Sequence, residues 1–274
     1  MRMQLIITVQ KRGDILRIVT KFFSVVLLLS LLTCTVSGSD KINWYFKKTL
    51  DHSQPRLDSY LAEAGSHKNL IWIDKENTEF DSETKKIYIT FDAGYENGNI
   101  EKILDILKEE NVKATFFILE NLILSNRELV GRMINEGHLI GNHTCRHLNM
   151  SKVADIEQFR RELEKLESLF YNTYGVNMSK YYRPPEGCFN TDNLDWAEQL
   201  GYKTVMWSFA YADWDNNKQM SKEKAIGKIL STLHNGEVML LHPTSSTNAE
   251  ILKTLIGELK KQGFVFGTVD EITG

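Results

Sequence analysis

Lys86-Ile87-Tyr88-Ile89-Thr90-Phe91-Asp92-Ala93-Gly94-Tyr95 is the stretch from which the rest of the chain is read. Residues 86–90 are β-branched and aromatic and are predicted to form a buried strand, with Asp92 at its mouth. Downstream, Ile100, Ile103, Leu104 and Leu107 recur on one helical face. A second strand is predicted at 114–118, a helix at 125–136 stopped by Gly137, and a short third strand at 139–142. Asp155 and Gln158 form a capping box ahead of a long helix that turns Ile156, Phe159, Leu163, Leu166 and Phe170 inward. The alternation continues with strands at 180–183, 203–207, 237–241 and 264–268. Between them lie helices ending at Leu200, spanning 222–233, and spanning 248–261. About seven strands in strict alternation with helices imply parallel strands joined by crossover helices.

Polar residues decide between an open sheet and a barrel. Asp92, His143, Arg183, Trp214 and His242 each stand at or just beyond the C-terminal end of a different strand. A barrel gathers those ends on one face, whereas an open sheet strings them along a line. The fold class is therefore α/β, a distorted or incomplete (β/α) barrel. An irregular lead-in at 39–85 packs onto it through Trp44, Tyr45, Phe46 and Trp72.

The chain has 274 residues, 42% apolar and 25% charged, with a net charge of −3, so it is neither disordered nor a polytopic membrane protein. That charge offers no footprint for nucleic acid. It is unevenly placed: the first 38 residues hold five bases and one acid, the remainder 28 bases and 35 acids. Residues 22–36 are an apolar run behind this basic region, followed by small residues, which is the layout of a secretory signal. Export is predicted, with residues 1–38 either a cleaved signal peptide or a membrane anchor. The domain proper is 86–274. Cys145 and Cys188 are too few for a disulfide framework, and whether they pair is left open.

His143 and His147, four apart, can share one face of a helical turn and one metal ion; imidazole suits zinc, cobalt, nickel or iron. Asp92 is placed to act as a general base toward water, and Arg183 to keep it ionised and oriented. Three of the four prolines, Pro184, Pro185 and Pro243, stiffen the loops holding these candidates. His242 is a candidate proton donor. Trp207 and Trp214 can wall a sugar ring. The acidic run at 162–167 reads as a solvated helix face, and His52, His67, His138 and His234 as structural or exposed.

Together these motifs resemble the polysaccharide deacetylase family, also called NodB homology or carbohydrate esterase family 4. Five match in order: Thr90-Phe91-Asp92-Ala93-Gly94, His143 to His147, Arg183-Pro184-Pro185-Glu186-Gly187, the Trp207 to Trp214 region, and Leu240-Leu241-His242. The resemblance implies a distorted barrel that hydrolyses acetyl groups on polysaccharides with a divalent metal. It implies Asp92 as base, Arg183 as its tether, His143 and His147 as metal ligands, and His242 as acid. The Glu186 N–H would hold the oxyanion, and Leu240 and Trp214 would flank the acetyl methyl.

Thr90 to Gly98, Trp44 to Lys48 and Leu240 to Ala249 look like the muramic-δ-lactam-forming deacetylases of spore-forming bacteria. That likeness implies stem-free N-acetylmuramic acid of cortex peptidoglycan as substrate, glycan strands as partner, zinc before cobalt or nickel, and a monomer. N-acetylglucosamine in peptidoglycan or a chitin-like glycan is the alternative substrate, and an inert glycan-binding groove the alternative class. Three positions depart from the family. Ala93 replaces a ligating Asp, so metal binding is expected to be weaker and completed by water. Ala210 stands where an Asp that tunes the acid His is expected. Glu186 replaces an aromatic and would repel a lactyl carboxylate if it faced the substrate.

Overall fold

The computed structural model describes residues 40–273, so the predicted signal or anchor at 1–38 lies outside the described residues. Among the described residues no helix is long and apolar enough to cross a membrane. The elements run β1 (Ile42–Asn43), α1 (Ser59–Ser66), β2 (Leu70–Ile71), β3 (Lys85–Ala93), α2 (Ile100–Glu109), β4 (Thr115–Ile118), α3 (Glu120–Ser125), α4 (Arg127–Asn135) and β5 (Leu139–Asn142). They continue with α5 (Ile156–Tyr174), β6 (Tyr181–Tyr182), β7 (Cys188–Phe189), α6 (Thr191–Gln199), β8 (Lys203–Val205), α7 (Lys222–Leu230), β9 (Glu237–Leu241), α8 (Ser246–Lys261) and β10 (Phe264–Phe266).

Strand β3 is the axis of the main sheet. It pairs in parallel with β10 at its start, β9 along its middle and β4 at its end. From β4 the sheet continues through β5, β6 and β8 to β2, every pairing parallel. The far side then meets β9 through single bridges, Phe209 to Met239 and Ile73 to Glu237. The result is a curled sheet whose closure is made by isolated bridges, a distorted (β/α) barrel. Period-two alternation along β3 sorts its side chains. Ile87, Ile89, Phe91 and Ala93 join the cluster beneath the helices. Tyr88 belongs to a second cluster with Phe117, Val205 and Val238. The same alternation puts Thr90 and Asp92 on Tyr88's side of the strand.

The lead-in is more regular than the sequence indicates. It supplies α1, and β2 makes the main sheet eight-stranded. The run Leu70-Ile71-Trp72-Ile73 is too short to show a period, yet Leu70 and Ile71 pair with Thr204 and Val205. Trp44, Phe46 and Trp72 are buried as expected, whereas Tyr45 is exposed. The Trp44 indole donates to the Trp207 carbonyl at 2.8 Å, and the Trp44 amide to the Gly187 carbonyl at 2.9 Å. The predicted helix at 125–136 is α4, Arg127–Asn135; the short helix α3, which was not expected, precedes it, and the two are divided at Asn126, where the backbone leaves helical geometry. Asp155 caps α5 by accepting from the Gln158 amide at 2.7 Å.

Candidate active site

The C-terminal ends of the strands open into a cleft of about 880 Å³ lined by Asp92, His143, His147, Glu186, Trp214, Leu240 and His242. Arg183 lies behind it with no exposed surface. All eight sequence candidates thus belong to one site.

Arg183 is held by acceptors on every side. Its Nη1 donates to Asp92 Oδ1 and Thr90 Oγ1, both at 2.8 Å, its Nε to the Val205 carbonyl at 3.1 Å, and its Nη2 to the Met206 carbonyl at 3.2 Å. The guanidinium stacks over the Phe117 ring at 4.2 Å. Burial alone would raise the Asp92 pKa. The charge and hydrogen bond of Arg183, with His242 adding, outweigh it and hold the carboxyl below its ordinary range.

The His143–His147 segment corrects the helical-turn expectation. It is an irregular loop in which Thr144 and His147 adopt left-handed backbone, φ 74° and 58°. That conformation is costly for a β-branched residue and persists only where neighbours fix it. They do: the Asn142 side chain accepts from the Thr144 amide at 2.8 Å and donates to the Leu163 carbonyl at 3.0 Å. Thr144 Oγ1 accepts from the His147 amide at 3.0 Å. Glu162, read as solvated, is buried instead and braces the same loop. Its carboxylate takes the Arg146 amide at 3.2 Å and the Arg146 Nε at 2.8 Å, and its carbonyl accepts from the Cys145 amide at 2.9 Å. A periodic charge pattern cannot show this, because only the loop's return onto α5 buries that one acid.

The two imidazoles end 5.1 Å apart, edge to face. His143 Nδ1 donates to the Arg183 carbonyl at 2.9 Å, which leaves Nε2 with its lone pair, 3.6 Å from Asp92 Oδ2. Burial drives the His143 pKa down to about 4, so the ring is neutral, as metal ligation requires. His143 Nε2 and the neighbouring His147 ring bring two imidazoles to one spot, a donor chemistry that suits a divalent ion. Ala93 contributes nothing, being packed under the helices, and among the described residues no cluster of three metal-binding side chains forms. An ion held there would take its remaining ligands from water or substrate.

His242 corrects a second expectation. The missing acid partner at Ala210 is supplied three residues later by Asp213, which is 2% exposed. Asp213 Oδ1 accepts from His242 Nδ1 at 2.7 Å, and Oδ2 accepts from the His242 amide at 2.8 Å and from Asn248 Nδ2 at 2.6 Å. Burial would lower the His242 pKa, but the hydrogen bond and charge of Asp213, with Asp92 adding, carry it above the ordinary value. Asp213 was hidden because motif spacing pointed to position 210; the alternative signal was the sequence Asp213-Trp214 beside the candidate wall.

Glu186 has left-handed backbone, φ 60°, and its carboxylate accepts from Asn149 Nδ2 at 3.2 Å on the cleft rim. The next residue must be glycine: a Cβ at Gly187 would sit 2.7 Å from the Trp207 ring. Leu240 is buried and Trp214 63% exposed. Cys145 and Cys188 are free thiols that bond to Glu120 at 2.6 Å and to Asn43 at 3.1 Å, so they do not pair.

Comparison with known proteins gives the chain its family. Residues 80–205 match the family model described as polysaccharide deacetylase. The chain is 38% identical over 237 residues to the peptidoglycan-N-acetylmuramic acid deacetylase PdaA of Bacillus subtilis, covering 85% of this chain and 86% of that protein. The chain belongs to the polysaccharide deacetylase family. The solved structure of PdaA, a family 4 carbohydrate esterase, superposes on this deacetylase with a TM-score of 0.78 at 35% identity, covering 85% of this chain and 97% of that one. A peptidoglycan-N-acetylglucosamine deacetylase of Bacillus cereus is 34% identical over 211 residues, 75% of each chain. The similarity to peptidoglycan deacetylases over most of the chain makes the protein a polysaccharide deacetylase, a hydrolase.

Proposed function

We propose that this deacetylase removes N-acetyl groups from peptidoglycan outside the cytoplasm, and that its substrate ring is stem-free N-acetylmuramic acid. One observation carries the chemistry: Asp92 and His242 face one cleft with their pKa values pushed apart, the acid downward and the imidazole upward. Such a pair divides into base and acid near neutral pH. Arg183 keeps Asp92 ionised, so its carboxylate takes the proton of the attacking water. The backbone N–H of Glu186 donates to the oxyanion, a contribution of about 3 kcal/mol for one such donor. Leu240 and Trp214 flank the acetyl methyl, and His242, steadied by Asp213, protonates the departing amine. His143 and His147 would hold a divalent ion, zinc before cobalt or nickel, which when bound supplies Lewis acidity toward the carbonyl and toward water.

The muramic ring is supported by the similarity to PdaA over most of the chain. With the lactyl carboxyl unsubstituted, the freed amine stands beside it, and a six-membered lactam can close as the C–N bond forms and the carboxyl C–O bond breaks with loss of water. N-acetylglucosamine is the second reading, favoured by Glu186: it faces the cleft, and among the described residues no Lys or Arg lines that cleft to receive a lactyl carboxylate. Product mass spectrometry on stem-free and stem-bearing strands, with and without chelator, separates them. Muramic lactam from stem-free strands is expected, lost with chelator and restored by zinc. Acetate release confined to glucosamine overturns the muramic reading, and release unaffected by chelator overturns the metal.

Glu162 gives a separate check on the metal loop. Glu162→Ala leaves the Arg146 and His147 turn without its buried brace. Zinc affinity is expected to fall roughly tenfold, the lower range for lost supporting partners. Titration calorimetry reads this directly, and unchanged affinity would remove Glu162 from the account.

A further inference from the structure

Tyr95 stands three residues beyond Asp92 on the cleft rim and remains 48% exposed. Exposed aromatic rings usually fold down onto nearby apolar surface. This one is held up from two sides. Asn97 and Asn99 both donate to the Thr244 carbonyl, at 2.8 and 3.0 Å, and so tie its loop to the turn after His242. Glu96 Oε2 accepts from the Ile100 amide at 3.0 Å, anchoring the loop to the start of α2.

Across the rim, the phenol oxygen accepts from Asn216 Nδ2 at 2.9 Å. The segment carrying Asn216 is itself fixed: Gln219 donates to the Asp213 and Asp215 carbonyls, both at 2.9 Å, and Asp213 is locked to His242. An apolar face kept in water by a rigid frame is a pre-organised surface for a ligand. The cleft's 880 Å³ lies at the upper end for sites that hold a drug-sized molecule, which leaves room for more than the reacting ring.

We infer that Tyr95 is a substrate-positioning residue that stacks on a sugar ring adjacent to the one being deacetylated, so that the enzyme reads a run of linked sugars. The inference rests on the deacetylase reading of the cleft and names the polymeric form of its substrate. Stacking on a sugar needs the ring face, whereas stapling two loops needs only the hydroxyl. Tyr95→Phe keeps the face and loses the Asn216 bond; Tyr95→Ala loses both.

The test measures acetate release from stem-free glycan fragments of two and six sugars, with kcat and KM resolved. For Tyr95→Ala, kcat/KM on the six-sugar fragment is expected to fall about tenfold, mostly through KM. The loss on the two-sugar fragment is expected to be smaller, so the preference for length shrinks. Tyr95→Phe is expected to keep the wild-type length preference within about twofold. Equal losses at both lengths, no loss at either, or a Phe variant as impaired as Ala would each overturn the inference. If the wild type released no acetate from either fragment, the reading of the site would fail instead. Calorimetric binding of the six-sugar fragment to the same three proteins would still decide Tyr95: tenfold weaker binding for Ala alone supports it, equal binding overturns it.

Discussion

Asp92→Asn is expected to lower turnover by about 100- to 10,000-fold, the contribution of a positioned general base. The exchange keeps the shape and an oxygen that can accept from Arg183 Nη1, but removes the charge and the capacity to take a proton. It also acts on stability. Arg183 has no exposed surface, and Asp92 is the carboxylate paired with it. Removing one member of a buried pair costs about 3–5 kcal/mol when the other charge is left uncompensated. The retained hydrogen bond and the Val205 and Met206 carbonyls place Asp92→Asn at the low end of that range.

Arg183→Met reaches the same loss of turnover from the other side. Without the guanidinium, burial dominates, the Asp92 carboxyl rises toward its protonated form, and two backbone carbonyls lose their donor. Acetate release and thermal denaturation on both variants measure the two effects together. Near-normal turnover by a folded Asp92→Asn protein would remove Asp92 as the base.

The sequence makes the barrel and most of the cleft legible because both rest on strand ends. Strand β3 is long, fully patterned and buried on both faces, so its alternation and the acid at its mouth stand out. Strands β6 and β8 are two and three residues long, and their limits are set by pairing rather than by periodicity. Strand β2 is invisible for the same reason: two residues become a strand only because β8 is there to receive them. The histidine pair is legible as a pair but not as a loop. Spacing of four fits a helical turn, and only the contacts from Asn142 and Glu162 explain why left-handed backbone at Thr144 and His147 is tolerated instead. Asp213 shows the limit of motif position. A carboxylate partner for His242 is set by where the loop after β8 crosses β9, and the sequence does not reveal that crossing.

Asp213→Asn is expected to move the alkaline limb of kcat/KM to lower pH. If His242 donates the proton to the leaving amine, the free enzyme must carry it protonated, and activity falls as pH rises through its pKa. Three charged groups bear on that ring. Asp213 and Asp92 raise its pKa, while Arg183 and burial lower it, and the net position lies above the ordinary 6.5. An opposite charge in direct contact shifts a pKa by about 1–3 units, so losing it brings the limb down by that order. The substituted amide would also present one carbonyl oxygen to three donors, the His242 ring, the His242 amide and Asn248, and each donor left unmet costs about 1–3 kcal/mol.

The stability change has its own pH signature. A raised imidazole pKa stabilises the folded state fully below the unfolded value of 6.5, and that part is lost as pH rises through the native value. The gap in melting temperature between wild type and Asp213→Asn is therefore expected to be widest on the acid side of 6.5 and to narrow above neutrality. A pH–rate profile with an unmoved alkaline limb, beside a melting gap that does narrow, would mean that Asp213 tunes His242 but that His242 does not deliver the proton.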